Sequence, residues 1–228
     1  NLDSVVLEGV NALSLNIDGN ASFEKSINGS VEFTNGYVSG GTKADGHDAS
    51  YPDDPSKGFR VGRGNLGGFG GGQGPGKGAS LGSSGAGGLS GGGGSFAGEG
   101  GAAASGPAGI TYGTGGMEVM LGGSGGGFGS FGDAAAGGGA LEIIASGKVF
   151  VQPGVRISMN GGAVLVNPSV GANYSGGAGS GGAIRIVADS IDNQGILEAK
   201  GGNASGMDSR ETGAKFLTNS GGAGGGVA

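Results

Sequence analysis

The chain of 228 residues has no cysteine, no tryptophan and a single histidine. Without cysteine there is neither a disulfide framework nor a thiolate metal site. Charged residues amount to 13%, the net charge is −6 and no basic run occurs, so nucleic acid is not an expected partner. No apolar stretch approaches the roughly 20 residues of a membrane span, so no membrane insertion is expected. Aromatic residues make up 6% of the chain, too few for a conventional core. The sequence starts at Asn1 without a signal peptide and reads as processed or as part of a longer polypeptide.

Glycine takes the place of what is missing. It supplies 64 residues in all, and 37 of the 83 between Gly58 and Ala140. Composition alone would make that stretch disordered, since glycine loses the most conformational freedom on folding. Its distribution argues otherwise. From Gly64 to Gly109 every third position is glycine in 12 of 16 cases, against 10 of the other 30 positions. The exceptions are Gln73, Ala79, Ala97 and Ala103. Three is the repeat of the polyproline-II helix, which can shed the side chains of one face and let a neighbour approach. The stretch is therefore expected to pack as polyglycine-II layers, with Phe69, Phe96, Phe128 and Phe131 plugging gaps between them.

The remainder alternates as short strands do. Val5 and Leu7, then Leu13, Leu15 and Ile17, then Val31 and Phe33 keep the period of two of half-buried strands. Asp18-Gly19, Asn28-Gly29 and Asn35-Gly36 make the tight turns between them. Residues 41–57 form an acidic loop in which Asp45, Asp48, Asp53 and Asp54, beside His47, are candidate oxygen ligands for calcium. Their spacing matches no EF-hand, and a solvated Pro-rich loop has the same composition.

Beyond this loop one strand pattern recurs: small, apolar, mostly charged, apolar. It occurs at Gly58-Phe59-Arg60-Val61, Gly116-Met117-Glu118-Val119-Met120, Ala140–Ala145, Ala183–Ala188 and Val227-Ala228. The last three units start 43 residues apart, at 141, 184 and 227. After Leu141 come Lys148–Val151, a turn at Gln152-Pro153-Gly154, and Val155–Met159. After Ile184 come Ser190–Asp192, a turn at Asn193-Gln194-Gly195, and Ile196–Lys200. Three strands per unit, stacked on their equivalents, are expected to form a parallel β-helix, because a lone unit could not bury its apolar face. In that register Arg60, Glu118, Glu142 and Arg185 share an outward face, and Glu142 and Arg185 can pair. The fold class expected is all-β, a parallel β-helix or solenoid with glycine-rich insertions and essentially no α-helix. Regions 1–57, 58–140 and 141–228 are expected to form one continuous domain. The insertions at 58–140, 122–139, 161–182 and 201–226 should leave one corner and pack side by side.

The runs Gly137-Gly138-Gly139-Ala140-Leu141-Glu142-Ile143-Ile144-Ala145 and Gly179-Ser180-Gly181-Gly182-Ala183-Ile184-Arg185-Ile186-Val187-Ala188 resemble repeats of large glycine-rich extracellular proteins of protists and bacteria. The resemblance covers residues 116–228 and implies a secreted β-helical surface or adhesive protein. The period-three stretch is also similar to the polyglycine-II bundles of insect ice-binding proteins and phage tail-tip adhesins, without the disulfides and strict triplets of the former.

Chemistry is sparse. No Walker loop occurs, and Gly62-Arg63-Gly64-Asn65-Leu66-Gly67 matches a dinucleotide fingerprint without opening a helix. The histidine has no serine constellation around it. Parallel β-helices also carry polysaccharide lyases and hydrolases, for which Asp189 and Asp192 near Arg185 are the candidates. Four sequons make Asn20, Asn28, Asn173 and Asn203 candidate glycosylation sites. The expected function is that of a non-enzymatic extracellular structural protein, without cofactor unless the acidic loop takes calcium. It would self-associate head to tail into a filament, with Asn1–Leu7 of one copy continuing the repeat that Val227-Ala228 of another begins. An adhesin or a glycan- or ice-binding module is the alternative, and a β-helix lyase or hydrolase the second.

Overall fold

The computed structural model describes residues 4–6, 10–24, 26–28, 31–34, 37–40, 64, 66–79, 91–102, 107–113, 119–128, 134–165, 176–206, 217–220 and 225–226. Among them there is no helix. Before the glycine stretch come β1 (Ser4–Val6), β2 (Leu13–Ile17), β3 (Ala21–Phe23), β4 (Ser26–Asn28), β5 (Val31–Thr34) and β6 (Tyr37–Gly40). After it come β7 (Ala140–Ala145), β8 (Lys148–Val151), β9 (Arg156–Ser158) and β10 (Val164–Leu165). The last part holds β11 (Ala183–Val187), β12 (Ser190–Asn193), β13 (Ile196–Glu198), β14 (Asn203–Gly206), β15 (Leu217–Ser220) and β16 (Gly225–Gly226).

Three ladders, parallel throughout, organise these strands. The first runs β2-β7-β11-β16, the second β3-β8-β12 and the third β1-β4-β9-β13. Read across the ladders, β2–β4, β7–β9 and β11–β13 are three equivalent tiers of strands. Leu13, Leu141 and Ile184 stand in register, as do Leu15, Ile143 and Ile186. Alternation sends these residues to one face and Ser14, Glu142 and Arg185 to the other. Buried positions from all three ladders join one apolar cluster that includes Leu141, Ile143, Val149, Val151, Ile157, Met159 and Ile184, while Ala140 and Ala183 pack with Phe96 in a second. Turns keep the strands short. At Gln152-Pro153-Gly154-Val155 the Val155 N–H donates to Gln152 C=O at 3.1 Å, and Gly154 has φ +82°. Proline followed by a positive-φ glycine is the composition of a type II turn. Two antiparallel pairs, β5–β6 and β14–β15, lie outside the three ladders, and β10 runs parallel to β14.

The neighbours of β7 correct one expectation. The strand read at Gly116–Met120 is absent from Val119 and Met120, which take no strand conformation, and Val119 is exposed. The edge of β7 opposite β11 is held by β2, because Leu13, Leu15 and Ile17 match Leu141, Ile143 and Ala145 position for position. The outward column is therefore Ser14, Glu142 and Arg185. Arg60, Met117 and Glu118 lie outside the described residues, as do the strand read at 58–61 and Val227. The tiers of β2–β4 and β7–β9 are thus adjacent in the ladders although far apart in sequence, and the described residues 122–128 and 134–139 lead into β7.

The described glycine runs inside the insertions are neither helix nor strand, yet they are buried and hydrogen-bonded to one another. Their donors repeat every three residues. Phe69 and Gly72 donate to Gly123 and Gly126; Ala135 and Gly138 donate to Gly177 and Ser180; Gly179 and Gly182 donate to Gly162 and Met159. Rising acceptor numbers make the first two contacts parallel, and falling ones make the third antiparallel. The segment 122–127 is enclosed. Its N–H groups at 123 and 126 donate to Gly138 and Ala135, that at 125 to Gln73, and that at 127 to Gly92. A Cβ on Gly126 would overlap Gly177 O, and one on Gly125 would overlap Gly70 O. The sequence placed the stripped face in one phase of three. In the array glycine is required outside that phase as well, at Gly68, Gly71 and Gly78, because an interior segment has neighbours on several sides. Phe96 is buried against Tyr112, and the rings of Phe69 and Phe128 stand where Cβ atoms on Gly74 and Gly72 would fall. Phe131 lies outside the described residues. Leu66 ties the array to the strands. At φ +48° it accepts a conformation that costs a side-chain-bearing residue on the order of 1–2 kcal/mol, and it buries its side chain in the ladder cluster.

Candidate functional site

Of the residues singled out for chemistry, some lie outside the described residues and the others have separate partners. Asp45, His47, Asp48, Asp53, Asp54 and Asn173 lie outside the described residues. Among the described residues no three of His, Cys, Asp and Glu converge. Arg185 pairs with Glu142 on the first ladder, whereas Asp192 bonds Lys148 at 2.9 Å and Gln194 at 3.2 Å on the second. Asp189 is exposed at the bend between them, where its backbone N–H donates to Gly147 C=O at 3.0 Å. Arg185 and Asp192 are thus each held in tier-to-tier contacts, and Asp189 faces solvent. Among the sequon asparagines, Asn20 is exposed before β3 and accepts the Lys148 N–H through Oδ1 at 2.9 Å. Asn203 is exposed at the start of β14, and Asn28 belongs to β4.

The densest polar cluster lies at the corner where β9 and β13 run into the glycine array. Glu198, buried beside Ser158, accepts from Ser158 Oγ at 2.8 Å and Asn160 Nδ2 at 3.0 Å. It pairs with Arg156 at 2.8 Å and Lys200 at 2.7 Å. Burial alone would raise its pKa. The donors from Lys200, Arg156, Ser158 and Asn160 outweigh burial and hold the carboxyl at about 2. Asn160 closes the corner by accepting the Lys200 N–H at 2.7 Å, and the Gly161 N–H donates to Lys200 C=O at 2.8 Å. Sequence reading passed over Glu198, although the signal was present. Aligning the two repeats puts Ser158 opposite Glu198 and Asn160 opposite Lys200. With its donors converging on the carboxylate, this corner ties β9 to β13 in register.

On the first ladder Glu142 lies below its ordinary pKa, through the Ser14 hydroxyl (2.7 Å) and then Arg185. Inside the array a chain of hydroxyls replaces missing backbone partners. The Tyr112 hydroxyl donates to Gly122 C=O at 2.6 Å and accepts from Ser124 Oγ at 3.0 Å. Ser124 Oγ also takes the Gly76 N–H, and Ser180 Oγ takes the Ser124 N–H. Burial raises the Tyr112 phenol to about 12, against the opposing hydrogen bond from Ser124.

Among the described residues, several apolar positions of the outer tiers are less covered than their partners in the middle tier. In the middle tier Val149 and Ile157 are fully buried, whereas Ile191, the register partner of Val149, is 39% exposed. Leu197, the partner of Ile157, is half-buried, whereas Ile184 and Ile186 of the same tier are buried; the exposed Ile196 and Val187 stand in register with Arg156 and Ile144. At the opposite end Leu13, Leu15, Ile17, Ala21 and Phe23 pack against the cluster while only partly covered. No protein-family model, curated protein or solved structure matches the chain.

Proposed function

We propose that this chain is a non-enzymatic structural building block whose three ladders are the faces of a parallel β-solenoid, with the glycine excursions laid beside it as a polyglycine-II layer. It assembles by stacking solenoid ends and belongs to an extracellular filament, appendage or matrix. One observation carries the reading. Core positions that are closed in the middle tier are partly open along the first tier and, in the third, at Ile191 and Leu197, while Ile184 and Ile186 stay buried, so part of the interface that joins tiers inside the chain is left uncovered on the outer tiers. Unpaired strand edges template further pairing, and a head-to-tail contact propagates as an open fibre. The polar clusters support a structural role, since Glu198, Glu142 and Asp192 are spent on holding tiers together. The exposed sequons at Asn20 and Asn203 suit a glycosylated surface protein.

Electron microscopy and sedimentation of the purified chain over a concentration series test this. Fibres, or ordered end-to-end oligomers that grow with concentration, are expected. Discrete monomers at every concentration would refute the filament.

A further inference from the structure

The corner that joins β9 and β13 to the glycine array contains a reactive dipeptide. Asn160-Gly161 is one of three Asn-Gly pairs in the chain, the others being Asn28-Gly29 and Asn35-Gly36. Asparagine is thermally labile, and most so before glycine, whose missing Cβ leaves its nitrogen free to reach the side-chain amide. Here the fold demands both residues. Gly161 is buried, and a Cβ on it would overlap the carbonyl oxygens of Gly179 and Ser180. Asn160 uses both ends of its amide. Nδ2 donates to Ser158 Oγ at 2.8 Å and to Glu198 Oε1 at 3.0 Å, and Oδ1 accepts the Lys200 N–H at 2.7 Å.

We propose that Asn160 is a latent deamidation site, held unreacted by the closed corner and converted when the corner opens. In the reaction the Gly161 nitrogen bonds to the Asn160 side-chain carbonyl carbon. Its proton passes by way of solvent to Nδ2, whose bond to that carbon breaks to release ammonia. The succinimide so formed takes up water at either carbonyl and leaves aspartate or isoaspartate. In the closed corner the attacking nitrogen is engaged, its N–H donating to Lys200 C=O at 2.8 Å. The amide is engaged as well, turned across to the Lys200 backbone and the Glu198 carboxylate of the neighbouring tier. Cyclisation has to wait until these bonds open together, a local event whose free energy sets the rate. Reclosing cannot undo it. Aspartate at position 160 loses the Nδ2 donor and sets a second carboxylate against Glu198. Isoaspartate also lengthens the backbone where the Gly161 N–H must meet Lys200. One opening that reacts is thus recorded as permanent loss of the latch between ladder and array. The inference goes beyond the filament reading and holds for a single chain.

Peptide mapping by mass spectrometry during incubation in mildly alkaline buffer tests this, with the folded chain and the denaturant-unfolded chain side by side. In the unfolded chain Asn160 is expected to convert about as fast as Asn28 and Asn35, which calibrate the reaction at an Asn-Gly pair. In the folded chain conversion at Asn160 is expected to be slower by about tenfold or more, since it waits on local opening. A Glu198→Ala variant removes an acceptor of Nδ2 and should bring the folded rate back towards the unfolded one. Ser158→Ala removes the other acceptor and takes its place if the first variant does not fold. An Asn160→Asp variant, which carries one of the products, is expected to unfold at a lower denaturant concentration than the wild type. Equal conversion at Asn160 in folded and unfolded chains, none in the unfolded chain, or an unchanged rate in the acceptor variants would overturn the guarded site. Equal unfolding midpoints for Asn160→Asp and the wild type would overturn the latch.

Discussion

The ladders and the glycine array hold together by opposite means. In the ladders, side chains do the packing. Leu141, Ile143, Val149, Ile157 and Ile184 are buried at 0–1% exposure, and burying a residue of this size contributes about 1.5–3 kcal/mol. In the array hardly any side chain is available, and peptide groups pack on peptide groups through N–H to C=O bonds that each contribute roughly 0.5–1.5 kcal/mol net. A packed side-chain core tolerates exchange among residues of similar volume. A packed backbone has no smaller residue to fall back on and no room for a larger one. The array is thus the less forgiving half of the molecule, although by composition it reads as the looser one.

One substitution on each side tests that contrast, the first adding three carbons and the second removing one. Gly137→Val puts a branched side chain where even a Cβ overlaps Gly123 O and C. It should cost about 3 kcal/mol or more, read as a lower midpoint in chemical denaturation. Ile143→Val removes one methylene from a fully buried site and should cost about 1 kcal/mol. If the glycine variant proved the milder of the two, backbone packing would not be what holds the array.

Next in size is the corner where the halves join. The Glu198 carboxyl is held at about 2, below its ordinary 4.5. Its contribution is fully present above pH 4.5 and is lost as pH falls through that value towards 2. With Arg156 and Lys200 partly in water, the amount is about 2 kcal/mol. Glu198→Gln should therefore destabilise at pH 7 and flatten the pH dependence of stability below 4.5. An unchanged acid profile would mean the corner does not couple ladder and array.

Inside the array, Tyr112→Phe removes the hydroxyl that Gly122 and Ser124 share, for about 1 kcal/mol. The wild-type phenol titrates near 12 instead of its ordinary 10, so stability should decline as pH rises from 10 towards 12. The variant should lose that decline in an alkaline denaturation series. The smallest effect belongs to the ladder surface. A double-mutant cycle on Glu142 and Arg185, a pair still partly open to water, should return about 1 kcal/mol. A larger coupling would move that pair from register marker to structural support.

Much of the ladder region was legible in the sequence, and much of the array was not. The alternation in Ala140–Ala145 and Ala183–Val187 placed Glu142 opposite Arg185, because a period of two leaves only one choice of outward residue. The repeat also located the corner strands, yet Glu198 went unremarked, since its partners arrive from the neighbouring tier. The pairing of β2 with β7 was missed because Leu-Ser-Leu-Asn-Ile carries no charged marker, while Met117-Glu118-Val119 does. The period of three announced close packing without revealing how many neighbours each segment would have.

The sequence alone determined the strand faces, the turn at Pro153-Gly154 and the spacing of three, because side-chain alternation, proline and glycine geometry and a three-residue backbone repeat are local properties. Only the tertiary structure decided that β2 completes the first ladder, that segment 122–127 is enclosed by its neighbours, and that Leu66 accepts a strained backbone to cap the apolar cluster. Those choices depend on which surfaces remain unburied once every segment is in place, and a glycine run carries no side chain to say in advance what will lie beside it.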